Sequence, residues 1–235
     1  MVALKLFKCK GISKWIPESF VINDLDDEIR KDSKFFSESK EFNYNRLLPL
    51  EVACLSRVNK LNNIVKLIDY IPPNGKNIVR DSCLDSCIDE NLVIGIVLER
   101  DPSETSLFDY LLQNGCLIES EAKIIMKQVI DASLTLLNNG ILHGDLKSEN
   151  ILIEPISKRI KLIDFGSSQF LESTILINDD NDGNTNTNFN KYCFNKCKNQ
   201  SLLTKPVRTF RGTNLYKPPE FILHHCFYPR PSTVW

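Results

Sequence analysis

The stretch HGDLKSEN, residues 143–150, carries an acid, a cation and an amide at fixed spacing on one short loop. Asp145 can accept the proton of an attacking hydroxyl and orient that oxygen in line for displacement. Lys147 can neutralise charge on a transferring phosphoryl group, and Asn150 can hold Mg²⁺. The loop therefore predicts phosphoryl transfer, against the alternative of an ordinary polar connection between a helix and a strand.

A second metal-binding side chain follows fourteen residues after Asn150, in the stretch LIDFGS. Asp164 supplies a carboxylate, Phe165 can act as a packing switch, and Gly166 permits a backbone turn. Two short strands separate the motifs and should bring Asn150 and Asp164 to one face. Carboxylate and amide oxygens that converge from two loops suit a Mg²⁺ ion bound to phosphates.

The N-terminal stretch VALK, residues 2–5, is a strand candidate that ends in a lysine. Lys5 is the candidate to grip the α- and β-phosphates of a nucleotide and to pair with a helix carboxylate. Glu51 lies on the next predicted helix and is the candidate partner. Because such short patterns recur by chance, and Glu51 could be an ordinary solvated charge, this pair depends on the downstream motifs.

The stretch RGTNLYKPPEF, residues 211–221, resembles the end of a protein-kinase activation segment, with PPE at 218–220 in place of the usual Ala-Pro-Glu. Thr213 then lies in a loop that faces the substrate. Gly144 points elsewhere, because His-Gly-Asp loops occur in aminoglycoside and choline kinases and in small atypical kinases linked to tRNA modification. Those enzymes generally lack a peptide-docking segment, so residues 211–221 favour a protein substrate.

Alternating strands and helices are predicted around these motifs from hydrophobic periodicity. The predicted strands are residues 2–7, 63–71, 92–99, 150–153 and 159–165. Three polar segments are predicted insertions or loops, namely 17–46, 72–91 and the Asn-rich 178–200. The last cannot bury enough apolar surface to offset its ordering entropy, so we expect it to be disordered.

Three helices are predicted, the first from Pro49, the second from Ser106 and the third over 119–139. Ser106 with Asp109 has capping-box spacing, and Gly115 and Gly140 are C-terminal stops. The residues expected to face the core are Leu50, Cys54, Leu55 and Val58 in the first helix and Ala122, Ile125, Met126, Val129 and Leu136 in the third.

Bulk composition describes a globular chain, with 42% apolar and 25% charged residues in 235. No apolar run approaches the roughly 18 residues of a membrane span, and lysines interrupt any signal-like N-terminus, so a cytosolic or nuclear location is expected. The net charge of −1 predicts no nucleic-acid or membrane partner. The cysteine pairs 83/87 and 193/197 have poor zinc spacing, and the eight cysteines are expected to be free thiols.

The chain resembles the eukaryotic protein kinases, and within them it is most similar to the PIM family of serine/threonine kinases. The stretches that carry the resemblance are VALKLFKCKGISKW, LEVACLSRV, VLERDPSETSLFDYL, GILHGDLKSENILI, KLIDFGSS and GTNLYKPPEFI. The resemblance implies a two-lobed α+β kinase fold. Residues 1–98 would be a partial N-lobe, 99–105 the hinge and 106–235 a partial C-lobe.

The same resemblance implies ATP and Mg²⁺ as cofactors and constitutive phosphorylation of serine or threonine in proteins, often within basic peptides. Lys5, Glu51 and the hinge residues Glu99 and Asp101 would then bind ATP. Asp101 stands where the family has a proline after Leu-Glu-Arg. Because aspartate has the backbone N–H that proline lacks, this position of the hinge could again donate a hydrogen bond to adenine. Glu149 would contact a substrate arginine.

Departures from the family pattern bear on function. Gly144 replaces an arginine that normally pairs with a phosphorylated or acidic activation segment, so that mode of control should be lost while the chemical step stays possible. A truncated fold is expected, without the Gly-rich loop hairpin and ending at the start of the central C-lobe helix. Two alternatives stay open: a pseudokinase or nucleotide-binding module without turnover, and a small-molecule or atypical phosphotransferase.

Overall fold

The structure, a computed structural model, describes residues 1–8, 15–17, 46–72, 78–79, 93–171 and 205–233. The predicted disorder of 178–200, most of the insertion 17–46 and the cysteine pairs 83/87 and 193/197 lie outside the described residues. The described strands are β1 Val2–Lys8, β2 Trp15–Pro17, β3 Arg46–Pro49, β4 Leu67–Ile71, β5 Ile78–Val79, β6 Val93–Glu99, β7 Thr105–Ser106, β8 Ile141–Leu142, β9 Ile151–Ile153, β10 Ile160–Leu162 and β11 Gln169–Phe170.

The described helices are α1 Leu50–Val58, α2 Leu107–Asn114, α3 Glu119–Asn138, α4 Pro219–His224 and α5 Pro229–Ser232. Short 3₁₀ turns cover Ser148–Asn150, Phe165–Ser167 and Asn214–Tyr216. The strands form small antiparallel sheets among these helices, so the predicted α+β class is confirmed. Among the described residues, no helix is both long and apolar enough to cross a membrane.

The first sheet has the order β1-β6-β4 and is antiparallel throughout. Lys5 on β1 lies opposite Ile96 on β6. Side chains alternate along β1, so Val2, Leu4 and Leu6 are exposed while Ala3, Lys5 and Phe7 are partly buried. The predicted strands 2–7 and 92–99 are confirmed, and the alternation turns Lys5 away from the exposed face.

A second sheet joins β2, β3 and β5. Ile16 lies opposite Leu48, and both side chains are buried. The predicted loop 72–91 is therefore wrong at Ile78–Val79, which form β5. The predicted insertion 17–46 begins at the last residue of β2 and ends at the first residue of β3. Strands of two or three residues are too short to show a period in the sequence.

Helix α1 begins after Pro49, as predicted, and is buried on almost every side. The four residues predicted to face the core are buried, and so are Val52 and Ala53, which the one-face interpretation left out. The reason is that α1 contacts β2, β3 and β4 as well as the Phe165–Ser167 turn and β11. Glu51 therefore belongs to a largely buried helix, where a carboxylate needs a partner.

Helix α2 confirms the predicted capping box, because the Asp109 N–H donates to Ser106 Oγ at 3.0 Å. Helix α3 confirms the predicted core positions at Ile125, Val129 and Leu136. Met126 was predicted wrongly and is 51% exposed. The buried stripe passes instead through Ala132, so its steps of four, three and four residues stay on one face and Met126 lies about 100° away.

Two predicted strands are shorter than expected. The predicted strand 63–71 begins only at Leu67, because Asn63 has a φ of 60° and its side-chain amide donates to the Ile160 carbonyl at 2.9 Å. The predicted strand 159–165 ends at Leu162, because Asp164 adopts a left-handed backbone with φ 61°. Both chain reversals are set by side-chain and backbone contacts that periodicity does not report.

One apolar cluster joins the first sheet, α1, α3 and the strands β9 and β10. Its completely buried members include Ile94, Ile96, Ile153 and Phe165. Phe165 directly follows Asp164, so the core itself fixes the backbone at one candidate site residue. Of the cysteines in the described part of the chain, Cys54, Cys116 and Cys226 form no disulfide.

Candidate active site

Asp145 is the centre of a hydrogen-bonded group on the loop between β8 and β9. Its side chain is buried, and the Asn150 side-chain amide donates to both the Asp145 carbonyl, at 2.8 Å, and Oδ2, at 2.9 Å. Because the amide nitrogen faces Asp145, the remaining polar atom of the Asn150 side chain is its oxygen. These two hydrogen bonds hold the acid and the amide, five residues apart in sequence, side by side.

Lys147 and Thr213 complete this group, here called the loop cluster: Asp145, Lys147, Asn150 and Thr213. Lys147 Nζ lies 3.0 Å from Asp145 Oδ2 and donates to Thr213 Oγ1 at 2.6 Å. The Thr213 N–H donates to Asp145 Oδ1 at 2.7 Å. Thr213 is 68 residues from Asp145 in sequence, so residues 211–221 close directly onto the loop.

The environment keeps Asp145 ionised. Burial alone would raise the pKa of its carboxyl, but the Thr213 hydrogen bonds and the Lys147 ammonium outweigh burial and hold the pKa below its usual range. The same contact raises the pKa of Lys147. The loop cluster can therefore present a charged carboxylate, and an adjacent cation, to a hydroxyl that enters beside Thr213.

Lys5, Glu51 and Asp164 form a second group, here called the lysine cluster. Lys5 Nζ lies 2.8 Å and 3.0 Å from the two carboxylate oxygens of Glu51 and 2.8 Å from Asp164 Oδ1. The three residues come from β1, the first turn of α1 and the residues after β10. The structure thus brings together the lysine, the helix carboxylate and the metal-ligand candidate that the sequence predicted separately.

Burial opposes charge in the lysine cluster, and pairing restores it. Burial would lower the pKa of Lys5, but Glu51 and Asp164 outweigh burial and raise that pKa. Burial also raises the pKa of Glu51, against the pull of Lys5. Lys5 is therefore charged at neutral pH, and its contact with both Glu51 oxygens favours a carboxylate there as well.

Asn150 and Asp164 carry side chains of the type that binds Mg²⁺, and their backbones are neighbours. The Ile163 N–H donates to the Asn150 backbone carbonyl at 3.0 Å, so Asp164, the next residue, lies beside Asn150. In the described part of the chain, no three His, Cys, Asp or Glu side chains converge to hold a metal. A carboxylate and an amide oxygen are nevertheless the sparse protein donor set that Mg²⁺ accepts alongside phosphates and water.

His143 and Phe165 together contact residues of both clusters. The Asp145 N–H donates to His143 Nδ1 at 3.3 Å, so Nε2 carries the proton that it shares with the Ile163 carbonyl at 3.0 Å. Burial lowers the pKa of His143 and keeps the ring neutral. The ring meets Phe165 edge-on at 5.0 Å, and the Phe165 backbone helps to lower the pKa of Glu51 against the effect of burial.

Gly144, which departs from the family pattern, has a structural reason in this chain. Its φ is 82°, and a Cβ at this position would lie 2.6 Å from the Ser167 carbonyl oxygen. A Cβ on Gly212 would collide in turn with the Gly144 carbonyl. Residues 144, 167 and 212 therefore approach one another backbone to backbone, which only glycine permits at 144 and 212 without a shift.

The hinge residues contain a feature that the motifs did not predict. Glu99 accepts the Lys66 N–H at 3.0 Å and lies 3.3 Å from Lys161 Nζ, which also contacts the buried Glu104 at 2.9 Å. The sequence carries no signal for this pairing, because Glu99, Glu104 and Lys161 belong to separate segments. The Glu99 carboxylate is thus held by Lys161 and the Lys66 N–H.

The remaining predicted residues are exposed. The Asp101 carboxylate accepts the Ser103 N–H at 3.0 Å and the Ser103 hydroxyl at 2.8 Å, which lowers its pKa and closes a turn. Glu149 accepts the Ser148 hydroxyl at 3.0 Å. Neither belongs to the loop cluster or the lysine cluster, so their roles stay predictions.

A family model described as protein kinase domain matches residues 28–235. The match contains Glu51, the loop cluster and Asp164, and it begins after β1, so Lys5 lies outside it.

Individual relatives are serine/threonine-protein kinases. The chain is 34% identical over 140 residues to pim-2 of Danio rerio, which covers 60% of this chain and 35% of the relative. It is 26% identical over 207 residues to prk-2 of Caenorhabditis elegans, covering 86% and 36%. It is 28% identical over 186 residues to serine/threonine-protein kinase 1 of African swine fever virus, covering 79% and 46%. The chain thus spans about a third to a half of the lengths of these curated relatives.

These matches confirm the resemblance to eukaryotic protein kinases, with a PIM kinase among the relatives. The family match extends over well more than half of the residues. The chain therefore belongs to the protein kinase family.

Proposed function

We propose that the chain is an ATP- and Mg²⁺-dependent serine/threonine kinase that transfers the γ-phosphoryl group to a protein hydroxyl. The observation that carries this proposal is the ionised Asp145 carboxylate, held by the Thr213 N–H at 2.7 Å and beside Lys147 at 3.0 Å. A carboxylate with these partners can orient a hydroxyl and receive its proton as the new bond to phosphorus forms.

The two clusters divide the work in this proposal. Asp145 positions the substrate hydroxyl, and Lys147 offsets the negative charge of the transferring group. Lys5, fixed by Glu51, binds the α- and β-phosphates of ATP. Asn150 and Asp164 would hold Mg²⁺, which when bound offsets phosphate charge.

Nucleotide and peptide recognition extend the proposal beyond the clusters. Residues 1–98 and 106–235 act as two lobes, and the hinge 99–105, with Glu99 and Asp101, receives adenine. A protein substrate lies along residues 211–221, with Glu149 contacting a basic side chain in PIM-like fashion. The direct closure of Thr213 onto Asp145 supports a peptide substrate, because a docking segment is then part of the active site.

The proposal is tested by Mg²⁺-dependent transfer of labelled γ-phosphate to a panel of basic and acidic peptides with serine, threonine or tyrosine as acceptor. The chain should label serine and threonine peptides, preferring basic ones, and Asp145→Asn should abolish labelling. Nucleotide binding without labelling would support a pseudokinase. Labelling of aminoglycosides or choline in place of peptides would support a small-molecule phosphotransferase.

A further inference from the structure

Both ends of helix α1 contact the same short segment, residues 164–170. At the N-terminal end, the Glu51 carboxylate bonds to Lys5, and α1 packs against the Phe165–Ser167 turn. At the C-terminal end, the guanidinium carbon of Arg57 lies 5.1 Å from the centroid of the Phe170 ring. Arg57 lies six positions after Glu51, and this spacing corresponds to about 9 Å along the helix axis. These two contacts tie both ends of α1 to one segment, in addition to the packing of the helix against β2, β3 and β4.

Phe170 is itself firmly placed. It lies opposite Ile141 in the antiparallel pair β11–β8, and Ile141 is completely buried. The next residue, Leu171, donates its N–H to the Gly140 carbonyl at 2.8 Å. Strand β8 leads directly into the loop that carries Asp145. The ring under Arg57 is therefore anchored to the strand that supports the loop cluster.

The chemistry of the contact suits a partly buried helix end. A guanidinium within about 6 Å of a ring centroid is attracted to the ring face, and more strongly as water is excluded. Arg57 and Phe170 are both partly buried, and Arg57 lies in the last turn of α1, where the helix dipole also favours a cation. A planar guanidinium and an aromatic face are thus matched at this position.

We propose that Arg57 and Phe170 form a positioning pair that holds α1 where Glu51 meets Lys5, and so couples the activation segment to the nucleotide-binding lysine. The effect of the pair on catalysis rests on the proposed kinase function. Arg57 touches no reacting atom in this account. It acts through Glu51.

The test compares Arg57→Gln and Phe170→Leu with the conservative changes Arg57→Lys and Phe170→Trp. Lys127→Gln, which removes an exposed cation from α3, is the matched control. Hydrogen exchange of the α1 amides is measured in each variant, together with kcat and KM for ATP. Arg57→Gln and Phe170→Leu should speed α1 exchange and raise KM for ATP about three- to tenfold. The conservative variants and the control should stay near the original values.

Two further comparisons separate positioning from general stabilisation. The double variant of Arg57→Gln with Phe170→Leu should be no worse than either single variant, because both remove the same contact. In a Glu51→Gln background, Arg57→Gln should leave KM for ATP nearly unchanged, since its effect passes through Glu51. Additive losses, or equal losses in both backgrounds, would overturn the proposal.

Failure of the pair and failure of the kinase function give different results. Faster α1 exchange in a chain that transfers no phosphate would refute the kinase function and leave the structural pair standing. Unchanged α1 exchange in a chain that does transfer phosphate would refute the pair. If Phe170→Leu does not fold, the Arg57 variants alone decide the question, because that side chain is partly exposed.

Discussion

The loop cluster and the lysine cluster are built in opposite ways. Asp145, Lys147 and Asn150 lie within six residues of one another, and their side chains are mostly buried, with Asp145 at 10% and Lys147 at 18% exposure. Lys5 lies 46 residues from Glu51 and 159 from Asp164, and it is 38% exposed. The loop cluster is shielded and mostly local, with Thr213 as its one distant member. The lysine cluster is assembled by the fold, with Lys5 and Asp164 partly open to solvent around the buried Glu51.

This difference indicates which cluster holds its geometry on its own. Both oxygens of the Asp145 carboxylate accept hydrogen bonds, Oδ2 from Asn150 on the same loop and Oδ1 from Thr213. The acid is therefore oriented before substrate arrives. The Lys5 contacts are more open to screening by water and salt. We therefore expect the loop cluster to set the rate of the chemical step and the lysine cluster to set nucleotide affinity.

The largest expected effect comes from Asp145→Asn. The amide keeps the size of the side chain but cannot accept the hydroxyl proton, so kcat should fall about 10²- to 10⁴-fold. Steady-state kinetics with a serine peptide measure the loss. Asp131→Asn, at an exposed acid of α3, is the control and should leave kcat unchanged. An equal loss in both variants would contradict the assigned role.

Lys5→Met should act on nucleotide binding. Charge-assisted hydrogen bonds contribute about 1.5–3 kcal/mol, so KM for ATP should rise about ten- to hundredfold. Lys123→Met, at an exposed helix lysine that pairs with Glu119, is the matched control. A loss confined to kcat, with KM for ATP unchanged, would show that the two clusters act as one functional unit.

Gly144→Ala tests the close backbone approach beneath the loop cluster. The strained φ and the contact with the Ser167 carbonyl should together cost about 2–4 kcal/mol of unfolding free energy. Gly115→Ala provides the matched control, because Gly115 has a φ of 75° but a Cβ there would meet nothing within 4 Å. It should cost about 1–3 kcal/mol from backbone strain alone, and less than Gly144→Ala. Equal costs in urea unfolding would show that the close approach is unimportant.

A smaller, pH-dependent effect is expected from His143. Burial lowers the pKa of His143 in the folded chain. Below the pKa of histidine in the unfolded state, about 6.5, the unfolded state therefore binds one more proton than the folded state, and stability decreases as the pH decreases. The decline should approach about 1.4 kcal/mol per pH unit and should shrink in His143→Asn. Thermal melts at pH 7.5, 6.5 and 5.5 measure it. His224→Gln, at an exposed histidine, should not change the slope.

The fold was predictable where a side-chain period is long enough to read. Strands β1 and β6 and helix α3 each extend over seven or more residues, and their positions were predicted closely. The short strand β5 pairs with β3 over two residues, and nothing in Ile78–Val79 alone distinguishes it from a loop. Met126 was misplaced because a helix stripe can be drawn along two neighbouring rows of side chains.

The candidate site was predictable where chemistry fixes spacing. Residues 145, 147 and 150 must share one loop, so their spacing was readable. The hydrogen bond from the Thr213 N–H to Asp145 was not, because a backbone donor leaves no mark on residue type. Gly144 was read as the loss of an arginine. Its close approach to Ser167 depends on tertiary packing and shows that the glycine has a structural role of its own.

The most direct test of the division between the clusters is calorimetric titration of the chain with Mg²⁺ and a non-hydrolysable ATP analogue, beside phosphate transfer on the same samples. Asp145→Asn should bind the analogue within about twofold of the original chain, because a lone conservative change outside the nucleotide contacts alters little. Its transfer rate should fall about 10²- to 10⁴-fold. Lys5→Met should bind weakly and retain a slow transfer at saturating ATP. Loss of analogue binding in Asp145→Asn, with binding kept in Lys5→Met, would contradict the account.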